Sequence, residues 1–158
     1  MAGKILQNKY FRTAVVIAGA VAAVYLMVYL DVVLRARSAY LEGEKYRSWH
    51  EKPELKRTAL EKKYAEEIKR AEEKLTAGKI DKEEYDRQAQ AFGFNKKREL
   101  EESSIKYAYI WYQTAVELFS PPESKWVRQS REKMFKAKEL WRQELIRKGI
   151  KVEDYMLE

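Results

Sequence analysis

The longest apolar run in the chain lies close to its start. Residues 13–34 read TAVVIAGAVAAVYLMVYLDVVL, with Asp31 as the one charged side chain. As a helix this run would extend about 33 Å at ~1.5 Å per residue, close to the ~30 Å hydrocarbon thickness of a bilayer. Lys9 and Arg12 precede it, Arg35 and Arg37 follow it, and Tyr10 and Phe11 stand where interfacial aromatics belong. A cleaved leader is the weaker reading. The run is longer than a typical secretory core, and its small-residue stretch AGAVAA lies in the middle rather than at the end. The pattern predicts a transmembrane helix over residues 13–34 after a short N-terminal tail, residues 1–12.

Within the span, Ala14, Ala18 and Ala22 recur every fourth residue, and Gly19 and Ala23 share that spacing. Small residues at this interval let a second helix approach closely, which is a main source of association in lipid. They predict a packing face for a partner helix, although alanine is common in any membrane helix. Asp31 is expected near the headgroup boundary, paired with Arg35 one turn on, the alternative being an intramembrane functional carboxylate.

Helical patterning continues after the span. Residues 35–52 are helix-compatible apart from Gly43 and are expected to form a juxtamembrane stalk, with Pro53 starting afresh. A helix over residues 53–77 then carries Leu60, Tyr64, Ile68, Ala71 and Leu75 on one face, a stripe that predicts packing against a single neighbour. Gly78 stops it. A further helix is expected over residues 82–119, with a kink at Gly93. Ser120, Pro121, Pro122 and Glu123 mark a boundary, with Ser120 as the predicted N-cap of a last helix over residues 121–148. On that helix Val127, Met134, Ala137, Trp141 and Leu145 share a face; Gly149 closes it, leaving residues 150–158 as a tail. The expected fold is therefore all-α: one transmembrane helix with a stalk, then about three amphipathic helices in a hairpin or small bundle over residues 53–149.

The stretch 105–119 is apolar around most of its circumference. Tyr107, Tyr109, Trp111, Tyr112 and Leu118, together with Trp126 and Trp141 of the last helix, are expected to form a protein-interaction surface, because a small domain has little with which to cover so many rings. An ordinary core helix is the alternative.

Residues 75–92, LTAGKIDKEEYDRQAQAF, resemble the SHOCT motif, a short helical hairpin found at the ends of many bacterial proteins. The resemblance rests on Leu75, Gly78, Ile80, Asp81, Glu83, Glu84 and Tyr85, with Asp81 as a helix cap and Glu84 three residues on. It departs from the family in its interior position and in Gly93. The resemblance implies oligomerisation or protein interaction and no catalytic residues. The same residues would also suit any helix–turn–helix.

Composition narrows the chemistry. The chain has 158 residues, no cysteine and one histidine, His50, which removes disulfides, thiolate metal sites and histidine-rich centres. No nucleophile–base arrangement or Gly-rich phosphate loop is recognisable, so neither an enzyme nor a cofactor is expected. The net charge of +7 is uneven: residues 1–52 carry +4, residues 53–104 are neutral and residues 121–150 carry +5. Arg35, Arg37, Lys125, Arg128 and Arg131 are the expected contacts for lipid or an acidic partner. Nucleic acid is the weakest partner class, since the basic side chains alternate with Glu and no binding motif accompanies them. The expected function is that of a non-catalytic single-pass accessory subunit clamping integral membrane subunits of a larger complex. The alternative is a self-associating membrane-anchored scaffold. Lys4, Lys9 and Arg12 before the span, against Arg35, Arg37, Lys45, Arg47 and Lys52 after it, place the C-terminal region on the cytoplasmic or matrix side. A bacterial cytoplasmic membrane is favoured over a mitochondrial inner membrane.

Overall fold

A computed structural model describes residues 9–153; the expected tails before residue 9 and after residue 153 lie outside the described residues. Five helices make up the described chain, with no strand: α1 (Lys9–Glu51), α2 (Pro53–Thr76), α3 (Lys82–Glu101), α4 (Ser104–Glu117) and α5 (Lys125–Arg147).

Helix α1 is one uninterrupted element of 43 residues, about 64 Å long at ~1.5 Å per residue. Its two halves have opposite fates. Residues 11–31 are all exposed, and this half is long and apolar enough to cross a membrane. Beyond it a seam at steps of four and three (Val32, Ala36, Ala39, Gly43, Tyr46, His50) turns inward, with Ala36, Ala39 and Gly43 buried. Alternating steps of three and four keep one stripe facing a neighbour, as in coiled coils. Helices α4 and α5 carry matching seams: Ile105, Ala108, Tyr112 and Ala115 on α4, then Val127, Ser130, Met134, Ala137 and Trp141 on α5. The expected stalk is thus one wall of a three-helix bundle.

The pairings give the directions. Tyr107 stacks on Tyr46 and Tyr112 meets Gly43 and Tyr40, so α4 runs antiparallel to α1. Trp126 packs on Tyr40 and Lys133 reaches Glu44, so α5 runs parallel to α1. The hairpin of α2 and α3 packs mainly on itself and is a separate arm. Its turn uses Gly78 at φ 66°, and Asp81 caps α3 by accepting a 2.7 Å bond from the Glu84 N–H.

The expected segmentation changes in three places. The helix predicted over residues 82–119 is two helices, broken at Glu102 and Ser103 rather than kinked at Gly93. Gly93 stays helical because an interior glycine costs only ~1 kcal/mol. The Ser103 hydroxyl accepts from the Lys106 N–H, so the redirection that seats α4 on α1 comes with its own cap. The last helix is capped by Ser124, not Ser120, whose hydroxyl is instead turned to the Glu123 carboxylate. Helix already starts at Lys9, within the expected N-terminal tail.

Gly43 is a contact, not a flaw in the helix. A Cβ there would lie 2.5 Å from Cε1 of the fully buried Tyr112 ring, whereas one at Gly93 would meet nothing within 4 Å. Gly43→Ala should therefore destabilise by about 1–3 kcal/mol through overpacking, and Gly93→Ala should stabilise by about 0.8 kcal/mol through helix propensity. Chemical unfolding followed by circular dichroism in detergent checks both. The Ser130 hydroxyl is fully buried without a hydrogen-bond partner among the described residues. Ser130→Ala should raise stability by about 1 kcal/mol in the same assay.

Candidate functional site

The residues singled out from sequence fall into four structural groups. Ala14, Ala18, Gly19, Ala22 and Ala23 all lie on the bare half of α1, exposed, and a Cβ at Gly19 would meet no neighbour within 4 Å. Among the described residues nothing covers their face.

The stripe Leu60, Tyr64, Ile68, Ala71 and Leu75 is spent inside the arm. Leu60, Tyr64 and Ala71 are buried, and Tyr64 faces Phe92 of α3 at 6.4 Å while its hydroxyl donates to Glu99 at 2.7 Å. Lys56 ties the arm to itself by donating to the carbonyls of Leu100 and Glu102, 3.1 and 2.6 Å away, where α3 ends. An ammonium at a helix C-terminus satisfies carbonyls that have no partner within the helix. Burial holds the Lys56 pKa below its ordinary value, against the opposing pull of Glu102, Glu144 and Glu99.

The aromatic surface requires correction. Tyr109 and Tyr112 are buried in the chain's own core and are not a docking face. Tyr107 stacks on Tyr46 at 5.3 Å, while Trp126 packs at a tilt on Tyr40 at 5.4 Å and Trp141 on Tyr109 at 5.8 Å, with Trp111 half-buried. The rings are covered because α1 continues past the apolar run and supplies the missing wall. Leu118 alone of the seven is wide open, at 71% exposure.

At the centre of the bundle a polar cluster joins all three helices. The Tyr112 hydroxyl donates to Glu44, and Lys133 donates to the Tyr40 hydroxyl at 2.8 Å while pairing with Glu44 at 2.7 Å. Burial works against the Glu44 carboxylate, but hydrogen bonds from Lys133 and Tyr112 outweigh it, so its pKa lies below the usual 4.5. For Lys133 burial likewise opposes the charge, and the bonds to Glu44 and Tyr40 prevail, raising it above 10.5. Burial and then the Glu44 bond push the Tyr112 phenol far above 10.0. No sequence motif announces this cluster, since its members lie on three separated segments.

Among the expected lipid or acidic-partner contacts, Arg35 pairs with Asp31 at 2.7 Å as anticipated, and Arg131 pairs with Glu123. Arg37 and Lys125 approach the Trp126 ring from different helices, 5.8 and 4.5 Å from its centroid. Arg128 is exposed one turn away. The fold thus gathers residues that are remote in sequence.

An open cleft of about 450 Å³ lies between the arm and the bundle, lined by Lys45, Trp49, Lys56, Lys63, Glu99 and Tyr107 among others. Its polar groups serve each other: Lys63 pairs with Glu99 at 2.7 Å and the Tyr107 hydroxyl donates to Glu102 at 2.9 Å. Among the described residues no group of three or more His, Asp or Glu side chains is placed to hold a metal. No protein-family profile, curated protein or solved structure matches the chain.

The central cluster generates a pH dependence whose sign follows from the shifts. Glu44, lowered, contributes stability above 4.5 that is lost as pH falls through its folded value. Lys133, raised, contributes stability that is lost as pH rises through its folded value above 10.5. Tyr112, also raised, adds to the alkaline loss once the unfolded phenol ionises above 10.0. Unfolding midpoints measured against pH should form a plateau between these limits with decline on both sides. In Lys133→Met the acid limb should become shallower, because Glu44 loses its main donor.

Proposed function

We propose that this chain is a non-catalytic, single-pass structural subunit of a larger membrane protein complex. The bare half of α1 crosses the bilayer and packs along a partner's span, while the bundle and arm brace a neighbouring subunit outside it. The observation that carries this reading is the continuity of α1: one helix is exposed and apolar over residues 13–30 and a wall of the bundle from residue 36 onward. An apolar surface of that length left uncovered in one chain is suited to lipid and to other spans. The small-residue face from Ala14 to Ala23 lies on this uncovered half, where close helix approach is unobstructed. The uneven basic charge favours the bundle on the cytoplasmic or matrix side.

A second reading, a self-associating anchored scaffold, draws on the arm. The arm folds as a hairpin over the residues that resemble the SHOCT motif and leaves Phe94 and Leu55 exposed on its outside. Because the Leu60–Leu75 stripe is consumed within the hairpin, association would have to use that outer surface.

Extraction of the native membrane in mild detergent tests the choice. The protein should migrate with other integral membrane chains, and Ala18→Leu combined with Ala22→Leu should release it without altering its circular dichroism. Recovery as a monomer with no companion chain overturns the proposal. Recovery as a homo-oligomer alone establishes the scaffold instead.

A further inference from the structure

The register of the bundle locates its base. With Tyr107 opposite Tyr46 and Tyr112 opposite Gly43, antiparallel pairing sets Leu118 level with residue 36. That is about 3 Å beyond Leu34 at ~1.5 Å of rise per residue. The burial pattern agrees, since Val32 and Val33 are half-covered and Ala36 fully so. Helix α5 begins at the same height, with Trp126 against Tyr40 and its ring approached by Arg37 and Lys125.

The charges at this level are unequal. Asp31 is taken by Arg35 and Glu123 by Arg131, while Glu117 accepts from Gln113 at 2.9 Å. Arg37, Lys125 and Arg128 have no carboxylate in ion-pair contact among the described residues, although Glu123, whose pKa is held down by its bond from Arg131, lies close enough to Arg128 for that charge to help. Two cations, Arg37 and Lys125, therefore stand over one indole, with exposed Arg128 one turn on from Lys125 and the open Leu118 at the edge of the apolar run.

From this we infer that the base of the bundle, formed by Arg37, Lys125, Trp126, Arg128 and Leu118, is a binding collar for anionic phospholipid headgroups. The inference rests on α1 crossing a bilayer. The headgroup layer is about 5–7 Å thick on each side. Arg37 stands about 5 Å past Leu34, so its guanidinium and the Lys125 ammonium lie within that layer, and Arg128 reaches it along its side chain. An indole with one apolar and one polar edge suits the same depth, and Leu118 is placed to dip toward the acyl boundary. Lipid is the occupant rather than an acidic protein segment because the patch is continuous with the span, and the same bilayer presents headgroups to it permanently. Cations at such a surface attract anionic lipid within a Debye length.

The full-length protein, reconstituted into vesicles of phosphatidylcholine with one-quarter phosphatidylglycerol, provides the test. Energy transfer from tryptophan to dansyl-labelled phosphatidylglycerol is compared with transfer to dansyl-labelled phosphatidylcholine. The anionic probe should be preferred at low salt, and the preference should fall by at least about fivefold in the triple variant Arg37→Gln, Lys125→Gln, Arg128→Gln. The control Lys136→Gln, Lys138→Gln, on the same helix but farther from the apolar run, should retain it. Equal transfer to both probes in the wild-type protein, with flotation showing that it has inserted, overturns the collar and assigns those cations to an acidic protein partner. Failure to float with the vesicles overturns the membrane reading itself, and the collar with it.

Discussion

The fold turns on how closely two helices approach where Tyr112 lies across Gly43. The ring rests against backbone, where any side chain would lie within 2.5 Å of it, and this lets α4 settle on the C-terminal half of α1. Flanking alanines, Ala36 and Ala39 on one helix and Ala108 and Ala115 on the other, keep the seam narrow on both sides. Dense packing of this kind is unforgiving of added volume, because interiors have few voids to absorb it. The phenol hydroxyl is not stranded by its burial, because Glu44 accepts it and Lys133 balances Glu44 from the third helix. A large ring in a glycine notch and a satisfied polar cluster thus hold the same three helices at the same height.

The consequence is mechanical. Because α1 is a single helix, whatever orients its apolar half also orients the bundle, with no flexible linker between them. The arm is joined differently. Its two feet meet at Lys52–Pro53 and Glu102–Ser103, and Lys56 clasps one to the other through backbone carbonyls. The proposed bracing role uses this contrast: a bundle rigidly continuous with the apolar half of α1, and an arm built on its own smaller core.

Much of this was legible in the linear pattern. The apolar run, the hairpin stripe, the stop at Gly78, the Asp81 cap and the Asp31–Arg35 pair are all local, set by residues within a few turns of one another. Two other features are hidden in the linear pattern for a common reason. The stretch after Leu34 looks like a spacer because its inward residues are Ala36, Ala39 and Gly43, which carry almost no hydrophobic signal, although their alternating steps of three and four are present in the sequence. Without that wall in view, the linear pattern leaves open whether the rings of Tyr109 and Tyr112 belong to a core or to a partner surface. The break at Ser103 was equally concealed, since Gly93 is the more conspicuous helix breaker and the serine matters only once α4 has a helix to turn toward.

The sequence by itself determined the all-helical class, the position of the apolar run, the hairpin and the absence of cysteine chemistry, because each depends on composition or on short-range periodicity. Tertiary structure alone decided which aromatic rings are covered, where Glu44 finds Lys133, and that Arg37 and Lys125 converge on the Trp126 ring. Those outcomes depend on the register between segments far apart in the chain, and register is set by how side chains of unequal size interlock across a seam. No single segment carries that information.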